Sequence, residues 1–127
     1  MNIFHLRASN FYGGPERQLH LHALQARESK FNVVIGSFNE SGKRPEFLEV
    51  IGDDDIATYA FDVKNAYDPK AVRLLRGYLI SNKIRILCTH DYRTHLIGFL
   101  ASIGIDTKWI AFSRGWTAES LKVKIYH

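Results

Sequence analysis

Residues 84–104 read IRILCTHDYRTHLIGFLASIG, and this stretch decides the fold. Its first six residues, Ile84–Thr89, are nearly continuously apolar instead of alternating. Strands covered on both faces of a parallel sheet look like that. After the polar residues around Asp91, the segment Arg93–Ile103 carries Leu96, Ile97, Leu100, Ala101 and Ile103 at helical spacing, and Gly104 sits where a helix-ending residue belongs. A buried strand that runs straight into a helix is half of a βαβ unit, because parallel strands need a crossover between them.

The same alternation extends in both directions. Further strand-like runs lie at Asn2–Leu6, Asn32–Phe38, Thr58–Phe61 and Trp109–Ser113. Helices are expected at Pro15–Ser29, Pro45–Ile51 and Pro69–Ser81. Each opens on a proline, which suits a first turn whose N–H would be unpaired anyway. Asp68 before Pro69 adds a capping side chain. A last helix is expected from Thr117, with Glu119 in its first turn, running to the end of the sequence. Strand and helix thus alternate five times. The expected fold is α/β, a Rossmann-like three-layer sandwich with a parallel sheet of about five strands. The 127 residues fit one domain.

Composition narrows the function classes. The net charge is +4 and the sequence pI is about 9.3. The charge is spread along the chain without a basic run, which argues against a nucleic-acid arm and leaves a phosphate-bearing ligand or a peripheral contact with an anionic membrane as partners. No secretory leader is visible, and the longest apolar stretch, LIGFLASIGI, is about half a membrane span. With one cysteine, Cys88, no intrachain disulfide can form. Its apolar surroundings suggest a reduced core thiol. Cytoplasmic localisation is the expectation, with an inner-face membrane contact compatible with it.

Three stretches at strand ends can carry chemistry. The first is FYGGPER, residues 11–17. Two glycines and a proline after a strand aim backbone N–H groups and about half a positive charge at an anion. Glycine also lets a ligand approach the main chain. A plain strand-to-helix turn has the same sequence, and this is neither a dinucleotide fingerprint nor a P-loop. The second is CTHDYRTH, residues 88–95. His90, Asp91 and Arg93 suit hydroxyls or phosphates; the alternative is that Asp91 simply caps a helix. His90 and His95 are a poor metal pair, since five residues do not return to one helical face. The third is SRGWT, residues 113–117, where Arg114 and Gly115 point at the same crevice and Trp116 offers a flat face to a sugar, a partner domain or the core. The acidic run GDDD, residues 52–55, reads as a solvated turn. His20 and His22 lie on nearly opposite sides of one helix and read as ordinary helix residues.

Together, FYGGPERQL, THDYRTHLIG and AFSRGWTAESLKVKIY follow one another as in the group 1 (family 4) glycosyltransferases of GT-B architecture, which this chain resembles over nearly all its length. The resemblance is to the N-terminal, acceptor-side domain. It implies a retaining enzyme that moves a sugar from a nucleotide-sugar to a carbohydrate or glycolipid acceptor, as in cell-envelope polysaccharide synthesis, with no metal or other cofactor. It implies that Gly13 and Gly14 form the donor-phosphate loop, and that Tyr12, Arg17, His90, Asp91, Arg93, Arg114, Gly115 and Trp116 line the acceptor side of the cleft. Arg114 stands where the family often has a histidine, and arginine cannot act as a general base. The family's donor domain, with its E-x7-E motif, has no counterpart in residues 1–127. The resemblance therefore implies an N-terminal half that lacks activity alone. The alternative is a stand-alone sugar- or anion-binding α/β module, pairing with a separate donor-domain subunit. A receiver-type domain fits less well, because its acidic pocket is replaced by basic and hydroxylic strand ends.

Overall fold

Every strand-like run named above forms a strand, and the proline-led segments form helices. The computed structural model describes residues 1–65, 68–114 and 121–126, with side chains as far as Phe112. In chain order the elements are β1 (Asn2–Leu6), α1 (Gly14–Ala26), β2 (Asn32–Glu40), α2 (Glu46–Gly52), β3 (Thr58–Val63), α3 (Lys70–Ser81), β4 (Ile84–Thr89), α4 (Tyr92–Ala101), β5 (Lys108–Arg114) and β6 (Leu121–Tyr126). One six-stranded sheet has the order β3-β2-β1-β4-β5-β6. Strands β1 to β5 pair in parallel.

The end of the chain differs from expectation. Leu121–Tyr126 is a strand, antiparallel to β5, with Ala111 opposite Lys124 and Arg114 opposite Leu121. The helix expected there is wrong over those residues. LKVKIY sets Leu121, Val123 and Ile125 against Lys122 and Lys124, which is a period of two. That alternation, with β-branched Val123 and Ile125, outweighs the helix propensity of leucine and lysine once the edge of β5 is available for pairing. Thr117 and Glu119 lie outside the described residues.

The sheet divides two cores. On one face Phe4, Leu6, Phe61 and Leu87 pack with Leu75 and Leu79 of α3 and Ile97 and Ala101 of α4. On the other, Ile35 meets Leu19 and Ala23 of α1 and Phe47, Leu48 and Ile51 of α2. Burying one such side chain contributes roughly 1.5–3 kcal/mol, so these two layers hold the sandwich together. Side chains alternate along a strand, so His5, between Phe4 and Leu6, faces the α1 side.

The two halves of the sheet run outward from its middle. β2 and β3 succeed β1 in one direction, while β4 and β5 extend in the other. The carboxyl ends of β1 and β4 therefore flank a topological switch point, where open α/β sheets form their ligand crevice.

Candidate functional site at the switch point

A cavity of about 520 Å³ opens at that point, lined by His5 and Arg7 from the end of β1 and by Pro15, Gln18, Leu19 and His22 of α1. His90, Asp91, Tyr92 and His95 close it from the start of α4, and Phe112 from β5. That volume lies within the range of small-molecule sites.

The floor is set by strand register. His5 pairs with Cys88 across β1 and β4, and His90 follows Cys88 by two, so His5 and His90 rise on the same face. His5 Nδ1 and His90 Nε2 are 2.9 Å apart and share a hydrogen bond. The His90 ring lies flat against Phe112, with centroids 4.9 Å apart and planes at 8°. His22 meets His5 edge-on at 5.2 Å. Burial, reinforced by His22, pulls the His5 pKa down to about 3. Burial, then the nearby His5 and Arg7, holds His90 well below the ordinary histidine value. Both rings are neutral at ordinary pH.

Arg7 and Glu16 form the second group. Arg7 Nε donates to Glu16 Oε2, and Arg7 Nη1 donates to the His90 carbonyl at 3.1 Å. Glu16 Oε1 accepts the Gly13 N–H at 2.8 Å, so a buried carboxylate closes the start of α1 from within. Burial opposes its ionisation. The Arg7 hydrogen bond, the Gly13 N–H and the Arg7 charge prevail and hold its carboxyl below the usual range. Beyond Gly14 there is open space: a Cβ placed there would meet nothing within 4 Å.

Asp91 is fully engaged. Its Oδ1 accepts the Thr94 N–H at 3.0 Å and caps α4; its Oδ2 accepts the Ala8 N–H at 2.8 Å and ties the β1 exit to the β4 exit. Below it, Trp109 Nε1 donates to Thr89 Oγ1 at 2.8 Å, and Thr89 Oγ1 lies 2.7 Å from His95 Nδ1. If the Thr89 hydroxyl donates to His95 Nδ1, all three groups are satisfied. Burial lowers the His95 pKa, against the opposing pull of Asp91 and the Phe112 carbonyl.

The structure distributes the nominated residues unevenly. His90 and Asp91 line the cavity. Tyr12 turns to α1, where its hydroxyl meets His20 Nδ1 at 2.8 Å; His20 Nε2 is 2.7 Å from Asp54 Oδ2. The carboxylate accepts, so Nε2 carries a proton, and the GDDD turn thereby anchors the glycine loop. Arg17 is exposed on α1, and Arg93 reaches Glu40 of β2 at 3.3 Å. Arg114 ends β5 with its side chain outside the described residues, as are Gly115 and Trp116.

Sequence reasoning missed His5, Arg7, Glu16, His22 and His95. A signal existed for His5: a histidine inside a strand buried on both faces needs a polar partner. Cys88 is buried, and burial pushes its thiol up to about 12, which removes it as a nucleophile at neutral pH. Among the described residues no group of three or more His, Cys, Asp and Glu side chains is placed to hold a metal ion, and no helix is long and apolar enough to cross a membrane.

The fold and its crevice define a Rossmann-like α/β domain with a ligand-sized cavity at its switch point. No protein-family model matches the chain, and no curated protein matches it. Solved structures do. One is the crystal structure of a glycosyltransferase from Rickettsia africae ESF-5, similar at a TM-score of 0.70 and 15% identity over 92% of this chain. The match covers 31% of that protein, so this chain spans about a third of its length. The likeness is one of fold, and it is to a glycosyltransferase.

Proposed function

We propose that the chain is the N-terminal, acceptor-side domain of a GT-B glycosyltransferase that acts with retention on a nucleotide-sugar. The observation that carries this reading is the switch-point cavity, walled by the neutral His5–His90 pair and a compensated arginine, in a fold that matches about a third of a glycosyltransferase. Such a wall offers hydrogen bonds to hydroxyl groups. The Gly13 N–H is held by Glu16, so a donor phosphate would reach the glycine loop on the open side of Gly14. With one wall of the cleft present, residues 1–127 bind an acceptor without turning over a donor.

Two measurements test this. The reading frame beyond codon 127 is expected to continue into a second α/β domain with an E-x7-E motif. A natural stop there favours the sugar-binding module that pairs with a separate subunit. A donor-hydrolysis and transfer assay on the 127-residue chain is expected to show no turnover above the uncatalysed rate; robust turnover defeats the proposal.

A further inference from the structure

We propose that the outer surface of α3 and α4 docks on an anionic lipid surface, with the apolar row of α4 in the headgroup layer and the cations of α3 beside it. The proposal is independent of the sugar chemistry at the switch point.

The outward face of α4 is of the wrong kind for water. The helix reads YRTHLIGFLA, followed by Ser102 and Ile103. Its inward side, Thr94, Ile97, Gly98 and Ala101, is buried against the sheet. Tyr92, Leu96, Phe99 and Ile103 recur every three to four residues and form one row on the opposite side. They are 93, 55, 47 and 53% exposed. A helix on the surface of a globular domain normally turns a polar stripe outward. Here the outward stripe is apolar, and Leu100 beside it and Ile80 of α3 add to the exposed apolar surface. Exposed apolar patches of this kind mark binding surfaces.

Charge selects the partner. α3 and α4 lie on the same face of the sheet, since Leu75 and Leu79 of one and Ile97 and Ala101 of the other share a core. Neither helix contains an Asp or a Glu; together they carry Lys70, Arg73, Arg76 and Arg93. Arg76 donates to the Ala101 carbonyl at 3.3 Å and to the Ile103 carbonyl at 2.5 Å, joining α3 to the end of the apolar row. Lys70 and Arg73 are exposed on α3. The acids at the margins are engaged. Asp68 accepts the N–H groups of Lys64 and Lys70, and Asp91 those of Ala8 and Thr94. Asp106 pairs with Arg85, and Glu40 with Arg93. On the opposite face of the sheet, α2 carries Glu46 and Glu49 and runs into Asp53, Asp54 and Asp55. One face is thus basic and apolar, and the other bears an acidic cluster. An anionic membrane attracts the first and repels the second. A second copy meeting the first face to face would set cations against cations. Interfacial helices bury leucine and aromatic side chains at the boundary between headgroups and acyl chains, with cations nearby. Tyr92 also lines the switch-point cavity, so docking holds the cavity mouth at the bilayer surface.

Vesicle flotation of the 127-residue chain tests this, with phosphatidylcholine alone and with phosphatidylcholine and phosphatidylglycerol in equal parts. Binding is expected to the mixed vesicles only, and to weaken with salt. Leu96→Ser combined with Ile103→Ser changes two exposed side chains outside the core and is expected to weaken binding at least about tenfold. Lys70→Gln and Arg73→Gln are each expected to weaken it about fivefold. A lipid-borne paramagnetic probe should broaden the Leu96 and Ile103 methyl resonances before those of Ile35, buried on the far face. No binding, equal binding to the neutral vesicles, or binding that ignores either set of substitutions overturns the proposal. So does a dimer in sedimentation that the Leu96 and Ile103 substitutions abolish, which gives the face to a second copy. The acceptor-side reading survives any of these results.

Discussion

Glu16 shows how one buried side chain assembles the glycine loop. It is 1% exposed, yet its oxygens hold the Gly13 N–H and the Arg7 guanidinium, joining the loop, α1 and the β1 exit. Removing one partner of a buried ion pair leaves the other uncompensated. Glu16→Ala is therefore expected to destabilise the fold by about 3 kcal/mol in urea unfolding. A loss below about 1 kcal/mol would mean that Arg7 finds water instead. Asp91 has an analogous role at α4. Its two acceptor bonds explain why the sequence left capping and ligand binding open: the residue both caps α4 and lines the cavity. The polar groups at strand exits could be read from sequence, but their pairing could not. Arg7 finds Glu16 across nine residues and His5 finds His90 across eighty-five, and no local pattern encodes either contact.

At the scale of elements, α4 lies close on the sheet because Gly98 has no side chain. A Cβ at Gly98 would sit 2.7 Å from Thr89 Cγ2 and 3.2 Å from Trp109 Nε1. Alanine gains about 1 kcal/mol in helix propensity. It must also push apart buried Thr89 and Trp109, which overpacking makes costlier, by about 1–3 kcal/mol. Gly98→Ala is thus expected to lower the thermal midpoint and to disturb the Thr89–His95 contact, visible in the His95 resonances. A raised midpoint with His95 unchanged would contradict the close fit. Strands β1 to β5 were legible as runs rich in apolar residues, near-continuous in β4 where both faces are covered, and α1, α2 and α3 because proline marks their starts. β6 was not, since leucine and lysine also favour helix and the pairing edge that selects a strand is supplied by β5. The same reasoning applies to His20, whose Tyr12 and Asp54 partners come from two different loops.

For the whole molecule, the buried neutral histidines couple stability to pH. His5 has a folded pKa of about 3 against about 6.5 in the unfolded chain. Below about pH 6.5 the unfolded state takes a proton that the folded state refuses. Stability is therefore full above that value and is lost progressively as pH falls towards 3. The loss for His5 alone is about 2 kcal/mol between pH 7.5 and pH 5. Urea unfolding across that range should show the decline, and His5→Asn should make it shallower, leaving the share due to His90; a flat wild-type profile would mean that His5 is charged in the folded protein.

On the proposed function, the switch-point cavity is an acceptor site in one half of a two-walled cleft. The direct measurement is an NMR titration of the 127-residue chain with methyl glycosides of glucose, galactose, mannose and N-acetylglucosamine and, separately, with uridine and guanosine diphosphates. A glycoside should shift His5, His22, His90 and Phe112 together, while neither nucleotide alone moves them. A nucleoside diphosphate that occupies those four residues, with the glycosides leaving them untouched, would contradict the account.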